Sequence, residues 1–276
     1  MNWLLEPFQY GFMLRGLLAS LLVGVLCAVM GTYVVVRGMA FLGDAMAHAI
    51  LPGVAVSYLL GANLLVGALV AAIVVALGIG FFSKGGMVKE DTAIGILFAA
   101  ALALGVAMIS SINTYAVDLS HILFGDVLGV SSGDLWLTGG LGLVVLLVVA
   151  INFKQFMVIS FDPVLAATLR LPAKFLRNLM LVLLAVTVVI SLQTVGVGLS
   201  VAMLITPAAT AYLLTRRLFS MMVISALIGA VSSLIGLYAS FFFNIVSGSA
   251  IVLTATFIFI IVFLFNPRKG ILVSGQ

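Results

Sequence analysis

Residues 178–215 read NLMLVLLAVTVVISLQTVGVGLSVAMLITPAATAYLLT and contain no Asp, Glu, Lys or Arg. A helix needs roughly 20 apolar residues to cross the ~30 Å hydrocarbon core of a bilayer. This stretch is long enough for two such helices, and the piece QTVGVG at 193–198 lies near its middle. Because glycines favour turns, we expect either two spans joined at 193–198 or a re-entrant turn there.

Similar stretches without charged residues cover most of the chain. They lie at 16–36, 49–83, 92–112 and 218–267, with one more between Asp134 and Lys154. Turn-forming residues at 61–63 and 244–249 divide the two longest into two spans each. The runs are continuous rather than alternating and exceed the ~11 residues of a spanning strand. The sequence therefore predicts an all-α polytopic protein with eight or nine transmembrane helices, forming one membrane domain over residues 1–276.

The composition excludes a soluble fold. Of the 276 residues, 64% are hydrophobic and only 7% are charged, whereas a soluble domain usually carries about 25% charged residues. The first span follows no cationic leader and no small-residue cleavage site, so we expect it to be retained. A single cysteine, Cys27, rules out an intrachain disulfide.

The basic residues predict the orientation of the spans. When the spans alternate in direction, the cations at 84–89, 154–177, 216–217 and 268–269 fall on one side. The positive-inside rule assigns that side to the cytoplasm. The net charge of +4 is therefore explained by topology and does not indicate a nucleic-acid partner.

The longest loop on the opposite side, 113–134, holds Asp118 and His121. These residues could attract cations or contact a delivering protein. A solvated loop surface is the favoured interpretation.

Two ionisable residues, Asp44 and His48, interrupt the apolar segment GMAFLGDAMAHAILPG at 38–53. Their spacing of four places both on one helix face. A charged residue near the middle of a span costs roughly 2.5–3.5 kcal/mol to insert and usually faces a cavity, a partner or an ion path. A carboxylate and an imidazole together suit Mn²⁺, Fe²⁺ or Zn²⁺. The pair is therefore a candidate metal site.

One copy of this motif supplies two donors, while a divalent metal generally takes four to six. A similar second subunit across a two-fold axis would supply two more, so the motif predicts a dimer with a central pathway. The alternative is an Asp–His hydrogen-bonded pair that only fixes helix packing. Pro52 and Gly53 are expected to end or bend the helix just beyond.

The cytoplasmic segment ISFDPVLAATLRLP at 159–172 predicts a short helix between two spans. Asp162 is expected as its N-cap and Pro163 as its first residue, with Leu165, Ala166 and Leu169 on an apolar face. Such a helix suits docking to a peripheral protein. An interfacial connector that binds only lipid headgroups is the alternative.

Small residues recur at helix-face spacing near the C-terminus. Ser225, Gly229 and Ser233 share one face, and Ser232, Gly236 and Ser240 share another. Packing within one subunit is favoured over a dimer interface as their role. The chain has neither a Walker-type phosphate loop nor an H-E-x-x-H zinc motif, and we expect it to catalyse no reaction by itself.

Five separated motifs resemble the metal-uptake ABC transporter permeases, especially the manganese-type members. They are GDAMAHAILPG at 43–53, HILFGD at 121–126, SFDPVLA at 160–166, AMLITPAATA at 202–211 and SGSAIVL at 247–253. The resemblance covers nearly the whole chain. It implies an ABC importer permease fold in the prokaryotic plasma (inner) membrane, with a coupling segment at about 159–176.

The resemblance also implies partners. They are a second permease subunit, identical or paralogous, two cytoplasmic ATPase subunits that hold ATP, and an extracytoplasmic metal-binding protein. Asp44 and His48 would be ligands of the transported metal, and no permanently bound cofactor is implied. A coupling helix seated in a cleft of the ATPase would contain Phe161, Asp162, Pro163 and Ala166. Relatives often have Gly where this chain has Arg170, which leaves the end of that helix undetermined.

Manganese is the favoured substrate because the form Asp-Ala-x-x-His-Ala-x-Leu-Pro-Gly looks most like manganese permeases. Zinc or iron are the alternatives, and affinity alone favours Zn²⁺ over Mn²⁺. A gradient-driven metal carrier, and a membrane enzyme with a catalytic metal at Asp44 and His48, are the competing functional classes.

Overall fold

The computed structural model describes residues 10–83, 88–110 and 127–265, and this part of the chain forms twelve α-helices without any strand. The helices are α1 (Gly11–Val36), α2 (Phe41–Ala49), α3 (Leu51–Leu59), α4 (Leu64–Phe82), α5 (Glu90–Ser110), α6 (Ser132–Ile151), α7 (Phe153–Phe161), α8 (Pro163–Thr168), α9 (Ala173–Val195), α10 (Val197–Leu214), α11 (Leu218–Phe243) and α12 (Ser247–Phe265). Helices α2 and α3 together make one span, Phe41–Leu59. In the described residues, nine segments are long and apolar enough to cross a membrane, which confirms the upper of the two predicted counts.

The turn predicted at 193–198 joins two full spans. Helix α9 ends at Val195 and α10 begins at Val197, so Gly196 alone connects them. Its φ of +81° lies in the region that L side chains rarely adopt. Val195 lines a cavity with the beginning of α12, whereas the other end of α10 lies beside the end of α1. Helix α10 thus runs the length of the bundle, and the re-entrant alternative is wrong.

Contacts between distant segments gather the basic residues at one end of the bundle. Arg37, just after α1, pairs with Glu90 at the start of α5. Arg177, in the first turns of α9, donates from Nη2 to the carbonyl of Gly80 near the end of α4, at 3.0 Å. Arg216 lines a cavity there with Val36 and Phe161. We call this the cytoplasmic end, following the positive-inside rule.

Helix α1 lies at the centre of the bundle and contacts α6, α9, α10 and α11. Within an 18-residue apolar stretch of each helix, 67% is buried in α1 and in α9, against 17% in α5 and in α12. The inner helices are therefore enclosed by the subunit itself, and the outer ones present most of their surface to lipid or to other subunits.

The small residues of α11 pack within this subunit. Ser225 and Ser233 donate hydrogen bonds to carbonyls of α1, at 3.2 and 3.1 Å, and Gly229 lies against Gly24 of α1. On the other face, Gly236 packs against Ile251 of α12. The favoured interpretation of these stripes, packing within one subunit, agrees with these contacts.

Candidate metal-binding site and cytoplasmic contact surface

The candidate metal site lies on α2, the first half of a span that is interrupted at Ile50. The helix breaks at Ile50, and Pro52 occupies the first turn of α3, where its missing N–H costs no helical hydrogen bond. An interruption of the helix beside Pro52 and Gly53, as the sequence predicts, is therefore present at Ile50. Asp44 lies in the first turn of α2 and His48 in the last turn.

The Asp44 carboxylate lies near the start of its span. Asp44 is three residues into the span that begins at Phe41, or about 4.5 Å at 1.5 Å per residue. By the same rise, His48 lies about 10 Å along the helix from Phe41.

The two side chains do not hydrogen-bond to each other. His48 Nδ1 lies 2.9 Å from the backbone carbonyl oxygen of Asp44 but 3.6 Å from its carboxylate Oδ1, and the second distance is too long for a hydrogen bond. A carbonyl can only accept, so Nδ1 carries the proton and a neutral ring keeps its lone pair on Nε2. The contact therefore fixes the tautomer that metal ligation through Nε2 requires.

Both donors remain accessible. The side chain of His48 is 30% exposed and that of Asp44 is 42% exposed. Phe98 of α5 covers one side of the imidazole, with ring centroids 5.9 Å apart at 84°, and makes a similar edge contact with Phe41. Across the described ranges, no three His, Cys, Asp or Glu residues come together. One subunit thus offers two metal donors, Asp44 and His48, on a partly exposed face of α2.

The cytoplasmic segment forms the short helix that the sequence predicts. Asp162 caps α8, since its Oδ1 accepts hydrogen bonds from the N–H groups of Val164 and Leu165 at 3.0 and 2.9 Å. Pro163 is the first helical residue. The predicted N-terminus is confirmed in both respects.

Arg170 ends this helix in a left-handed conformation, with φ of +51°. The N–H of Arg170 donates to Ala167 and that of Leu171 to Ala166, both at 3.0 Å. This is the Schellman arrangement, in which glycine is usual because a Cβ is strained there. The end of the helix is thus defined despite the arginine.

Four apolar side chains of this segment are exposed at the cytoplasmic end. Phe161 is 56% exposed, Val164 77%, Leu165 43% and Leu169 55%. Ala166, expected on the same face, is instead buried and lines a cavity with Lys174 and Arg177 of α9. We call these four exposed residues the cytoplasmic patch. Asp118 and His121, the candidate outer-loop contacts, lie outside the described residues.

Sequence reasoning missed a buried ion pair between Arg37 and Glu90. Arg37 Nη2 lies 2.7 Å from Glu90 Oε2, and the two side chains are only 13% and 19% exposed. Burial lowers the pKa of the Arg37 guanidinium below its ordinary value, and the neighbouring Glu90 carboxylate opposes that effect. The two residues are 53 positions apart, and the sequence gives no signal that pairs them. The only available signal was that each charge lies at a helix end.

The chain belongs to the ABC 3 transport family, which it matches over residues 9–266. It is 50% identical to the manganese transport system membrane protein MntC of Listeria monocytogenes, over 97% of this chain and 95% of that protein. It is 40% identical to the chelated iron transport system membrane protein YfeD of Yersinia pestis, over 96% and 89%.

A solved structure, PsaBC from Streptococcus pneumoniae in complex with Fab, contains a chain with the same fold. The TM-score is 0.83 at 41% identity, covering 96% of this chain and 95% of the other. With nine candidate spans in the described residues, the chain has the ABC permease fold and is a multi-pass protein of the prokaryotic plasma membrane.

Proposed function

We propose that this chain is the permease subunit of an ATP-driven importer that moves a divalent transition metal, with Mn²⁺ as the favoured substrate, into the cytoplasm. The arrangement of Asp44 and His48 carries the proposal. The two donors lie one helical turn apart, their side chains do not hydrogen-bond to each other, and both side chains are partly exposed. A pair that only fixed packing would place these polar atoms against each other.

The partly exposed site supports a second permease subunit, identical or paralogous. Two donors are too few for Mn²⁺, which prefers six ligands, and the partner would bring further donors to the same metal. Helix α5, whose Phe98 covers one side of His48, is itself little buried. Its free surface is available for such a contact.

The cytoplasmic patch supports two ATPase subunits as further partners. Phe161, Val164 and Leu165 present apolar surface beside the Asp162 cap, and Ala166 of the same short helix is buried. A capped helix held in this way can pass a conformational movement of an ATPase to the neighbouring helices α7 and α9. An extracytoplasmic metal-binding protein would deliver the metal at the other end.

The choice among divalent metals depends on more than the two donors Asp44 and His48. Relatives named for manganese and for chelated iron are similar to this chain at 50% and 40% identity. Aspartate and histidine bind Mn²⁺, Fe²⁺ and Zn²⁺ alike, so coordination number and the delivering protein must set the choice. Iron and zinc importers are therefore the alternatives within the same family, and a gradient-driven carrier is the alternative outside it.

Transport by the reconstituted complex tests the proposal. We expect ATP on the cytoplasmic side to drive uptake of Mn²⁺ into liposomes, with less uptake of Fe²⁺ and Zn²⁺. Asp44→Asn and His48→Gln should each lower uptake at least tenfold while the complex still assembles. Asp91→Asn, the same chemical change at an exposed acid in the first turn of α5, is the control and should transport normally.

Two results would contradict this scheme. Uptake at the wild-type rate in both Asp44→Asn and His48→Gln would show that the transported metal does not bind to this pair. Uptake that persists without ATP and follows an ion gradient would favour a carrier.

The ATPase contact has a test of its own. Leu165→Asp places a charge in the cytoplasmic patch and should abolish co-purification of the ATPase subunits. Leu60→Asp, at a more exposed leucine of the opposite end, should leave it intact. Retention of the ATPase by Leu165→Asp would instead support a connector that binds only lipid headgroups.

A further inference from the structure

A basic groove lies between α4 and α9 at the cytoplasmic end. Its volume is about 510 Å³, within the range of small-molecule binding sites. Lys174, Arg177 and Asn178 of α9 line one side, and Leu77 and Phe81 of α4 line the other. A second cavity of about 200 Å³ lies against the same two cations and extends to Ala166 of α8.

The two cations of this groove have no acidic partner in the described part of the chain. Arg177 donates from Nη2 to a backbone carbonyl, and its buried Nε has no hydrogen-bond partner. Lys174 is exposed at the groove. The nearby carboxylate of Glu90 is already paired with Arg37, 2.7 Å away. The groove therefore carries positive charge that no acidic side chain of the described residues offsets, and this charge suits an anion.

The opposite wall of the groove is apolar. Leu77 is 45% exposed and Phe81 is 69% exposed, and their spacing of four places them on one face of α4. Both belong to the membrane span Leu64–Phe82. An apolar strip thus leads from the two cations into the hydrocarbon region.

We infer that this groove binds an anionic phospholipid of the cytoplasmic leaflet. Its phosphate would lie on Lys174 and Arg177, and an acyl chain would lie along Leu77 and Phe81. A molecule with a charged head and an apolar tail matches both walls, and basic pockets between helices on the cytoplasmic side commonly hold such headgroups. An acidic residue of an ATPase would use the cations but leave the apolar wall, which lies at membrane depth, without a partner.

Native mass spectrometry of the detergent-solubilised complex, in micelles containing phosphatidylglycerol and phosphatidylcholine, tests this inference. The wild type should retain phosphatidylglycerol preferentially. Lys174→Gln should lower that preference about fivefold, the effect of one cation near a membrane surface. Lys154→Gln removes the same charge from an exposed cytoplasmic position that lines neither cavity, and its preference should match the wild type. Excess inorganic phosphate should not displace the retained lipid.

Three results would overturn the inference. An equal loss in Lys154→Gln would mean that the lipid follows general surface charge. An unchanged lipid preference in Lys174→Gln, together with weaker ATPase binding, would assign the cations to the ATPase. Displacement by inorganic phosphate would make the groove a site for soluble anions. Because lipid retention needs no transport, the test is independent of the proposed metal uptake.

Discussion

The ion pair between Arg37 and Glu90 offers the sharpest test of the fold. It links the end of α1 to the start of α5, and α5 packs against α2, the helix that carries the candidate metal site. Glu90→Gln keeps the size of the side chain and removes its charge, leaving the Arg37 guanidinium buried without a counter-ion. Because arginine stays protonated throughout the accessible pH range, loss of a proton cannot relieve that cost.

The expected loss of stability follows from the geometry. Breaking a buried ion pair by removing one partner costs 3–5 kcal/mol. The residual exposure of 13% and 19% admits some water, which places the estimate near the lower limit, at about 3 kcal/mol. For a chain of roughly this size, each kcal/mol lowers Tm by about 2–4 °C. Glu90→Gln should therefore melt roughly 6–12 °C below the wild type.

Thermal unfolding of the purified protein in detergent measures this change. The double variant Arg37→Met/Glu90→Met removes both charges and should recover most of the loss, since apolar replacements of a buried pair are often neutral or stabilising. Asp91→Asn, at the exposed neighbouring position, should leave the Tm unchanged. The reasoning is refuted if Glu90→Gln melts within a degree of the wild type, or if the double variant is as unstable as the sum of the two single variants.

Two further predictions concern single backbone positions. Arg170→Gly should relieve the left-handed backbone strain at φ +51°, which is worth about 1 kcal/mol. Hydrogen exchange of the backbone amides at the end of α8 should therefore slow about fivefold. Faster exchange than in the wild type would contradict the Schellman assignment. Gly31→Ala would place a Cβ against the Leu204 backbone carbonyl, which cannot rotate away, so we expect a loss of about 2–3 kcal/mol in detergent unfolding. Gly95→Ala, where a Cβ meets nothing, is the control and should cost nothing. If Gly31→Ala were as stable as this control, α1 and α10 would have to move apart freely at that contact.

The spans were predictable because a bilayer imposes a length that any helix must satisfy. The turns at 61–63 and 244–249 were equally predictable from the sequence, since glycine, asparagine and serine interrupt the apolar runs there. Only the turn at Gly196 needed the structure. A single residue with positive φ can reverse the chain, and such a short connection leaves the sequence compatible with a re-entrant segment.

The inward faces of the helices were not predictable in the same way. Lipid tails and the protein interior are similarly apolar, so the spans have no hydrophobic stripe that marks the buried side. Ala166 shows the consequence at the bilayer surface. Its neighbours placed it on an exposed apolar face, but in the structure it is buried.

The sequence by itself determined the features that depend on neighbours within a few positions. These are the apolar spans, the cytoplasmic side of the cations, the Asp162 cap, and the spacing that puts Asp44 and His48 on one helix face. The tertiary structure decided everything that requires two distant segments to meet. It placed Phe98 against His48, paired Arg37 with Glu90, and brought Lys174 beside α4. The physical reason is that helical periodicity fixes geometry along one helix, whereas the packing of whole helices selects which of their faces touch.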